Sequence, residues 1–174
     1  LVIDRIAASG PAVPAIEVAG KDGDSVIAAL TEGRNAYGWK YRIPYFYCEY
    51  SRRMAHSSYV RALEEVVDRY LDDRGQSVGR LLAERAWIPV VSRVRVRVLA
   101  PAYMEETLHT GFTVEEISRD VMFTGRMECT VVRDGVRVPV ASGTILHGYA
   151  HTTGPRAGQL AVFDDEVRKA LGAP

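Results

Sequence analysis

One long amphipathic helix followed by strand patterns is the feature that most limits how this chain can fold. Apolar residues recur at helical spacing from Val60 to Leu71, and Gly75 suits the left-handed position after a helix. An aromatic and β-branched stretch, Trp39–Cys48, precedes the helix and is predicted to be a strand. Four longer strand patterns follow: Val90–Leu99, Thr107–Ser118, Val121–Arg133 and Val136–Ala150. The order predicts an α+β domain in which one helix covers one face of an antiparallel sheet of about five strands.

The first 36 residues have a different character, because glycine and proline interrupt them repeatedly. We interpret residues 1–36 as an N-terminal extension and residues 37–174 as the main domain. A short helix is predicted at about Ser25–Thr31, with Asp24 or Ser25 as its N-cap. The sheet face that the long helix leaves open must be covered by this extension or by a second subunit. Since an exposed sheet edge invites pairing, we expect a homodimer.

Composition excludes several classes of function. The 174 residues carry 22 basic and 22 acidic side chains, so a nucleic-acid partner is not expected. Cys48 and Cys129 stand in no metal-binding pattern, and the four histidines include only one close pair, so no metal site is predicted. Apolar runs are far shorter than the roughly 20 residues of a membrane span, and no signal-peptide pattern is visible. We therefore expect a cytoplasmic protein with no membrane partner.

The segment from Tyr45 to Glu65 contains candidate catalytic groups at the transition from a predicted strand to the long helix. A helix N-terminus presents unpaired backbone N–H groups that can polarise a carbonyl oxygen. Glu49 lies just upstream and His56 lies where the helix begins. A carboxylate, an imidazole and an N–H cluster are the groups that hydrolysis of a carbonyl compound requires.

This segment, YFYCEYSRRMAHSSYVRALEE, resembles the signature of the hot-dog-fold thioesterases of the 4-hydroxybenzoyl-CoA thioesterase and YbgC-like group. Anchored on Tyr59, the resemblance places Glu49 on the family's catalytic acid, which is normally Asp, and Ala55-His56 on a Tyr-His pair. The stretch RVRVRVLAPAYMEE extends the resemblance, which covers about residues 38–171. It implies a hot-dog fold, in which a sheet wraps around a long central helix, in a dimer.

Three departures from the family pattern stand out. Glu49 is one methylene longer than the usual Asp. Arg52 and Arg53 replace a glycine pair, which removes the residues that adopt left-handed geometry most easily. Ala55 lacks the hydroxyl of the usual Tyr.

The resemblance also implies roles for the site residues. Glu49 would activate water or attack the thioester directly, and His56 and Tyr59 would orient water, acid or acyl chain. The amides near Ser57 and Ser58 would bind the thioester oxygen. The remaining candidates divide into two groups. Phosphate groups or the acidic face of a carrier protein would contact Arg52 and Arg53, and the acyl chain would contact Leu63, Phe112 and Phe123.

Each of these residues also has a structural interpretation. Glu49 could be a solvated partner of Arg52, and His56 could make only a structural hydrogen bond. Core packing could account for Tyr59, and helix capping for Ser57 and Ser58. A solvated turn would explain Arg52 and Arg53. The alternating Arg93, Arg95 and Arg97 are expected on one face of a strand, where phosphate binding is a further interpretation.

The hypothesis is a thioesterase that hydrolyses an acyl-CoA or acyl-carrier-protein thioester as a homodimer, with a homotetramer as the alternative assembly. No cofactor is expected beyond the coenzyme A or phosphopantetheine that forms part of the substrate. The arginine-rich composition, which we associate with actinobacterial proteins, favours release of a polyketide or fatty acyl chain in a biosynthetic pathway. The alternative is a non-hydrolytic hot-dog protein that binds acyl thioesters, or a polyketide lyase or cyclase.

Overall fold

The computed structural model describes residues 16–17 and 23–172. In chain order its elements are β1 (Ile16–Glu17), α1 (Gly23–Thr31), β2 (Ala36–Arg42), a 3-10 helix (Tyr45–Tyr47), α2 (His56–Asp72), α3 (Val78–Arg85), β3 (Trp87–Val98), β4 (Thr107–Ser118), β5 (Met122–Arg133), β6 (Val136–His151) and α4 (Asp165–Ala170). The parts of the predicted extension at 1–15 and 18–22 lie outside the described residues.

Five long strands form one antiparallel sheet in the order β3-β6-β5-β4-β2, and the two-residue β1 pairs with the start of β6. A tight hairpin joins β5 to β6, and its two turn residues, Asp134 and Gly135, both have positive φ angles, of 52° and 77°. Among the described strands, β3 pairs only with β6, and β2 pairs only with β4. Both edges of the sheet are therefore unpaired among the residues that the structure describes.

The long helix α2 packs its apolar stripe against the inner face of this sheet. Eight of its residues are buried: Ser58, Tyr59, Ala62, Leu63, Val66, Val67, Tyr70 and Leu71. They meet the inward side chains of the central strands, such as Phe112 of β4 and Ile145 of β6, in one continuous core. Each fully buried aliphatic side chain stabilises the fold by about 1.5–3 kcal/mol relative to exposure. The predicted α+β fold, with a sheet wrapped around one long helix, is confirmed.

The outer face of the sheet is partly covered by α1. Gly38 of β2 and Gly111 of β4 are partners in the strand register, and both lie beneath this helix. A Cβ atom on Gly38 would overlap Ile27, and one on Gly111 would come to 3.0 Å from the Cβ of Leu30. The two glycines thus form a flat seat for α1, as strand glycines often do where another backbone approaches closely.

Two local predictions need correction. The stretch Trp39–Cys48 is not one strand, because β2 ends at Arg42 and Tyr45–Tyr47 form a 3-10 helix. Pro44, which has no N–H for a strand ladder, stands immediately before that helix as its N-cap. Helix α1 starts at Gly23, so Asp24 and Ser25 lie inside its first turn and are not its N-cap.

Candidate functional site

A tight turn places Glu49 beside the start of α2. Glu49 and the next residue, Tyr50, have φ angles of 37° and 61°, which is left-handed backbone at two successive non-glycine residues. Such positions cost on the order of 1–3 kcal/mol each and concentrate at functional sites. The family pattern places a glycine pair at Arg52 and Arg53, yet neither of these has a positive φ. The left-handed pair therefore lies three residues upstream of the position that the resemblance indicates.

Hydrogen bonds fix this turn to the helix. The Ser51 Oγ donates to the carbonyl of Cys48 at 2.9 Å and accepts the Arg53 N–H at 3.0 Å. The carbonyl of Tyr47 accepts both the Ala55 N–H at 2.8 Å and the Ser58 Oγ–H at 2.9 Å. The strained backbone at Glu49 is therefore held from both sides.

The N-terminus of α2 faces the Glu49 carboxylate without a capping side chain. Ala55 is the N-cap and its methyl group cannot cap, while the Ser57 hydroxyl donates to Glu49 Oε1 at 3.2 Å. Ser57 and Ser58 are consequently not caps. The Ser58 amide bonds to the carbonyl of Ala55 at 3.1 Å, whereas the N–H groups of His56 and Ser57 meet no acceptor within residues 16–17 and 23–172. Two free donors and a positive helix end thus lie next to a carboxylate.

His56 does not pair with Glu49. Its exposed imidazole places Nε2 3.4 Å from the carbonyl oxygen of Val96, on the open edge of β3. Glu49 itself is exposed in the single chain. The acid and the imidazole lie on either side of the helix N-terminus and are not a hydrogen-bonded pair.

Four other candidates lie inside the protein. Tyr59 has no exposed surface, and its hydroxyl makes no well-formed hydrogen bond within the described residues, although the backbone of Ala102 interacts with it. Burial raises the pKa of this phenol, which stays protonated at neutral pH. Leu63, Phe112 and Phe123 are also fully buried, so in the single chain these side chains belong to the core. Their contact with an acyl chain stays a prediction.

The two arginines of the turn are exposed. The carbonyl of Arg52 accepts the Met104 N–H at 2.7 Å, and Arg53 forms an isolated β-bridge with Tyr103. Neither guanidinium forms an ion pair with any residue that the structure describes, so the suggested Arg52 pairing of Glu49 is absent there. Both cations remain free to meet an anion.

Three exposed aromatic residues surround the turn. The exposed fractions of Tyr45, Phe46 and Tyr50 are 62%, 66% and 101%. Exposed aromatic rings of this size typically mark a contact surface for a ligand or a partner. Sequence reasoning missed them because it assigned Tyr45 and Phe46 to a strand, although the aromatic run itself was visible.

The described segments contain neither a cluster of potential metal ligands nor a helix that could span a membrane. No group of three or more potential metal-binding side chains occurs there. No helix there is long and apolar enough to cross a membrane.

The chain matches the family described as "Thioesterase-like superfamily" over residues 46–171. This range contains the turn at Glu49, helix α2 and all strands from β3 to β6. The protein therefore belongs to the thioesterase-like superfamily. No curated protein matches its sequence significantly.

Solved structures share the fold at low sequence identity. A mutant of 4-hydroxybenzoyl-CoA thioesterase in complex with 4-hydroxybenzoyl-CoA has a TM-score of 0.72 at 15% identity, covering 79% of this chain and 99% of its own. The dynemicin thioesterase has a TM-score of 0.70 at 12% identity, covering 78% and 94%. The 1,4-dihydroxy-2-naphthoyl-CoA thioesterase from Synechocystis has a TM-score of 0.67 at 12% identity, covering 78% and 95%. These likenesses establish the hot-dog fold.

Proposed function

We propose that this protein is a thioesterase that hydrolyses an acyl-CoA or acyl-carrier-protein thioester. The observation that carries the proposal is the strained turn that holds Glu49 beside the free N–H groups at the start of α2. Holding a carboxylate in a costly backbone conformation next to an oxyanion-binding helix end is typical of a reaction centre.

The proposed reaction uses these groups in turn. The N–H groups of His56 and Ser57 donate hydrogen bonds to the thioester oxygen, which becomes more negative as the carbonyl carbon is attacked. Glu49 accepts a proton from the attacking water, and a tetrahedral intermediate forms. The intermediate collapses with cleavage of the C–S bond, and the thiolate takes the proton from Glu49. Direct attack by Glu49, through an anhydride that water then opens, is the variant of this scheme.

A second copy of the chain would complete the site. The open edge of β3 carries exposed Ile88, Val91 and Val98, and His56 reaches the same edge at Val96. We propose that two protomers pair here, which would cover the edge and shield Glu49 from bulk water. Sedimentation velocity should give a dimer, or a tetramer built from two dimers, and a monomer at micromolar concentration would contradict this part of the proposal.

The acyl group would lie against the exposed rings of Tyr45, Phe46 and Tyr50. The relatives act on or bind aromatic and polyene groups, as their names state. For this chain we propose an apolar acyl chain, and release of a polyketide or fatty acyl product is the biosynthetic role that fits. Arg52 and Arg53 are proposed to contact the phosphopantetheine or the acidic face of a carrier protein, and Tyr59 to limit the depth of the acyl pocket.

The test is thiol release from a panel of acyl-CoA and acyl-carrier-protein thioesters. Glu49→Gln removes the proton acceptor and keeps the shape, so kcat/KM should fall by about 100-fold or more. Glu116→Gln is the matched control, because Glu116 is also exposed and also accepts a serine hydroxyl, from Ser118 at 3.4 Å, but lies on β4. The control should keep kcat/KM within about twofold, in line with a surface substitution remote from the turn.

The same panel of thioesters distinguishes a thioesterase from the alternative, a non-hydrolytic protein. If Glu49→Gln keeps thiol release within a few-fold of the parent for several acyl lengths, Glu49 does not perform the chemistry. Tight binding of acyl thioesters without thiol release in the parent protein would instead support a non-hydrolytic binder, lyase or cyclase.

A further inference from the structure

The outer face of the sheet carries a concentration of arginines beyond the part that α1 covers. Val94 and Val96 of β3 pack on the core, so the alternate residues Arg95 and Arg97 point outward. On β5, Met127 is buried and the preceding Arg126 is exposed on the same outer face. Three cationic side chains therefore share one surface, opposite α2.

The strand register brings these side chains together around two hydroxyl groups. Thr144 of β6 is paired with Arg95 on one side and with Arg126 on the other, and Ser142 is paired with Arg97 on one side and with Glu128 on the other. Neighbouring strands lie about 4.8 Å apart, so Arg95 and Arg126 are about 10 Å apart across Thr144 at the backbone. Long guanidinium side chains at this spacing can reach one common anion.

Two adjoining clefts lie on this surface, with volumes of about 390 and 170 Å3. Both are lined by Arg97, Arg126 and Ser142. Arg137 lines the larger cleft and Arg95 the smaller, while Glu128 is the one acidic residue that lines either. The clefts are thus strongly cationic in a chain whose formal net charge is zero.

Most of this positive charge is not neutralised by the protein. Within the described part of the chain, Arg95, Arg97 and Arg137 form no ion pair, and only Arg126 has a carboxylate partner, Glu115. Glu128, at the rim of the larger cleft, forms its one ion pair within the described residues with Arg34, at 3.9 Å. Mutually repelling cations without counterions favour binding of an external anion.

The larger cleft also has an apolar side. Leu30 of α1, Leu99 and Pro139 line it together with the arginines. A ligand that combines phosphate groups with a flat apolar ring would match both parts, because arginine binds phosphate through paired N–H donors and ring faces pack on aliphatic side chains.

We propose that this arginine cleft binds a phosphorylated nucleoside, with its phosphates on Arg95, Arg97 and Arg126 and its base against Leu30 and Pro139. Two sources supply this chemistry: the nucleotide end of coenzyme A and a free nucleotide. The coenzyme source rests on the proposed thioesterase function. It is favoured by position, because Arg97 directly follows Val96, whose carbonyl oxygen lies 3.4 Å from His56 Nε2 at the start of α2.

Binding is tested first without any reaction, by calorimetric titration of the parent protein with 3′,5′-ADP and with adenosine. The phosphorylated compound should bind and adenosine should bind at least tenfold more weakly, with the difference shrinking as salt rises. Arg97→Gln should weaken 3′,5′-ADP binding about tenfold, and Arg95→Gln should act in the same direction. The matched control is Arg93→Gln, on the same strand and face but outside both clefts, which should change binding less than twofold.

Kinetics then separate the two sources. With an acyl-CoA, Arg97→Gln should raise KM about tenfold and leave kcat unchanged, whereas the same acyl group on N-acetylcysteamine, which has no nucleotide, should show no change. If 3′,5′-ADP binds through Arg97 but KM for acyl-CoA does not move, the ligand is a free nucleotide. If no thioester is hydrolysed and 3′,5′-ADP still binds through Arg97, the thioesterase proposal fails and the cleft proposal stands. Absence of binding, or equal effects of Arg97→Gln and Arg93→Gln, overturns it.

Discussion

The two ends of α2 are built in opposite ways. At the C-terminal end, the Tyr70 hydroxyl accepts a hydrogen bond from Asn35 at 3.1 Å and donates one to the carbonyl of Ala170 at 3.2 Å. Arg74 lies over the Tyr70 ring at 3.8 Å and donates to the Tyr70 carbonyl. At the N-terminal end, donors are left free, the N-cap has no capping side chain and the adjoining turn is strained.

We infer from this difference that the C-terminal end of α2 contributes to stability and its N-terminal end to the reaction. The C-terminal end joins the segment before β2 to the segment after β6, so it holds distant parts of the chain together. The N-terminal end has free N–H groups that can donate hydrogen bonds to a bound ligand. Substitutions at the first end should therefore change the free energy of unfolding, and substitutions at the second should change turnover.

The largest expected effect on stability is at Tyr70. Tyr70→Ala removes a fully buried ring that packs edge-on against Phe112, with ring centroids 5.2 Å apart, and should lower the free energy of unfolding by about 3–5 kcal/mol. The control at the other end is Tyr50→Ala, which should change it by less than about 0.5 kcal/mol. Urea denaturation followed by circular dichroism measures both, and similar losses would contradict the comparison.

Lowering the pH should also reduce the free energy of unfolding, through a histidine near the C-terminal half of α2. The buried His147 packs on Tyr149, which lies near Asp68 of α2. Burial lowers the pKa of His147 to about 4 from an ordinary 6.5. Between these pH values His147 of the unfolded chain binds a proton that the folded chain does not. The contribution of His147 to the free energy of unfolding therefore falls as the pH falls, by about 3 kcal/mol in all, and this contribution levels off below pH 4.

Asp68 acts in the opposite direction in part of this range. Burial raises its pKa to about 6, so the folded chain protonates this carboxyl before the unfolded chain does. The measurement is therefore the difference between the parent and His147→Phe in urea midpoints from pH 7 to pH 4. The variant should lose less stability on acidification, and parallel curves would show that His147 does not titrate as described.

Removing the hydroxyl of Tyr70 or of Tyr59 compares the two ends of α2 through smaller changes in the free energy of unfolding. Tyr70→Phe leaves the Asn35 amide and the Ala170 carbonyl without their partner, and should cost about 1–2 kcal/mol. Tyr59→Phe removes a buried hydroxyl that makes no well-formed hydrogen bond in the described chain, and should cost less than about 0.5 kcal/mol. Thermal or urea unfolding gives both values, and the reverse order would refute the assignment. A loss of turnover in Tyr59→Phe without a loss of stability would support the predicted role of Tyr59 in the reaction.

The smallest expected effect is at Ser57, whose hydroxyl donates to Glu49 at 3.2 Å. Because both groups are exposed, Ser57→Ala should leave the free energy of unfolding within about 0.5 kcal/mol. It should lower kcat/KM by only a few-fold, since the carboxylate loses one orienting donor. Steady-state kinetics on one acyl-CoA measure this, and a loss as large as that of Glu49→Gln would give Ser57 a direct role.

The sequence predicted elements whose pattern is local. Strand β4 has the predicted bounds Thr107–Ser118, and β6 starts at the predicted Val136. Each depends on periodicity or on a turn of a few residues, which the chain carries within itself.

Features that depend on distant residues were not predicted. Ser57 and Ser58 were cap candidates, but their hydroxyls instead meet Glu49 and the Tyr47 carbonyl, which only the folded turn brings close. The left-handed backbone at Glu49 and Tyr50 was not predicted because neither residue is a glycine. The arginine alternation on β3 indicated one face, but the cleft required the register between β3, β5 and β6. The glycine seat of α1 was signalled by Gly38 and Gly111 inside strands, and this signal was overlooked.

The central position of β6 determines when the sheet can form during synthesis. This strand pairs with both β3 and β5, yet it is the last long strand to leave the ribosome. At roughly 5–20 residues per second, β3 waits for seconds without its partner. Its arginine side chains keep the waiting strand charged and so discourage pairing with other nascent chains. A pause in translation between the end of β3 and Val136 would lengthen this interval.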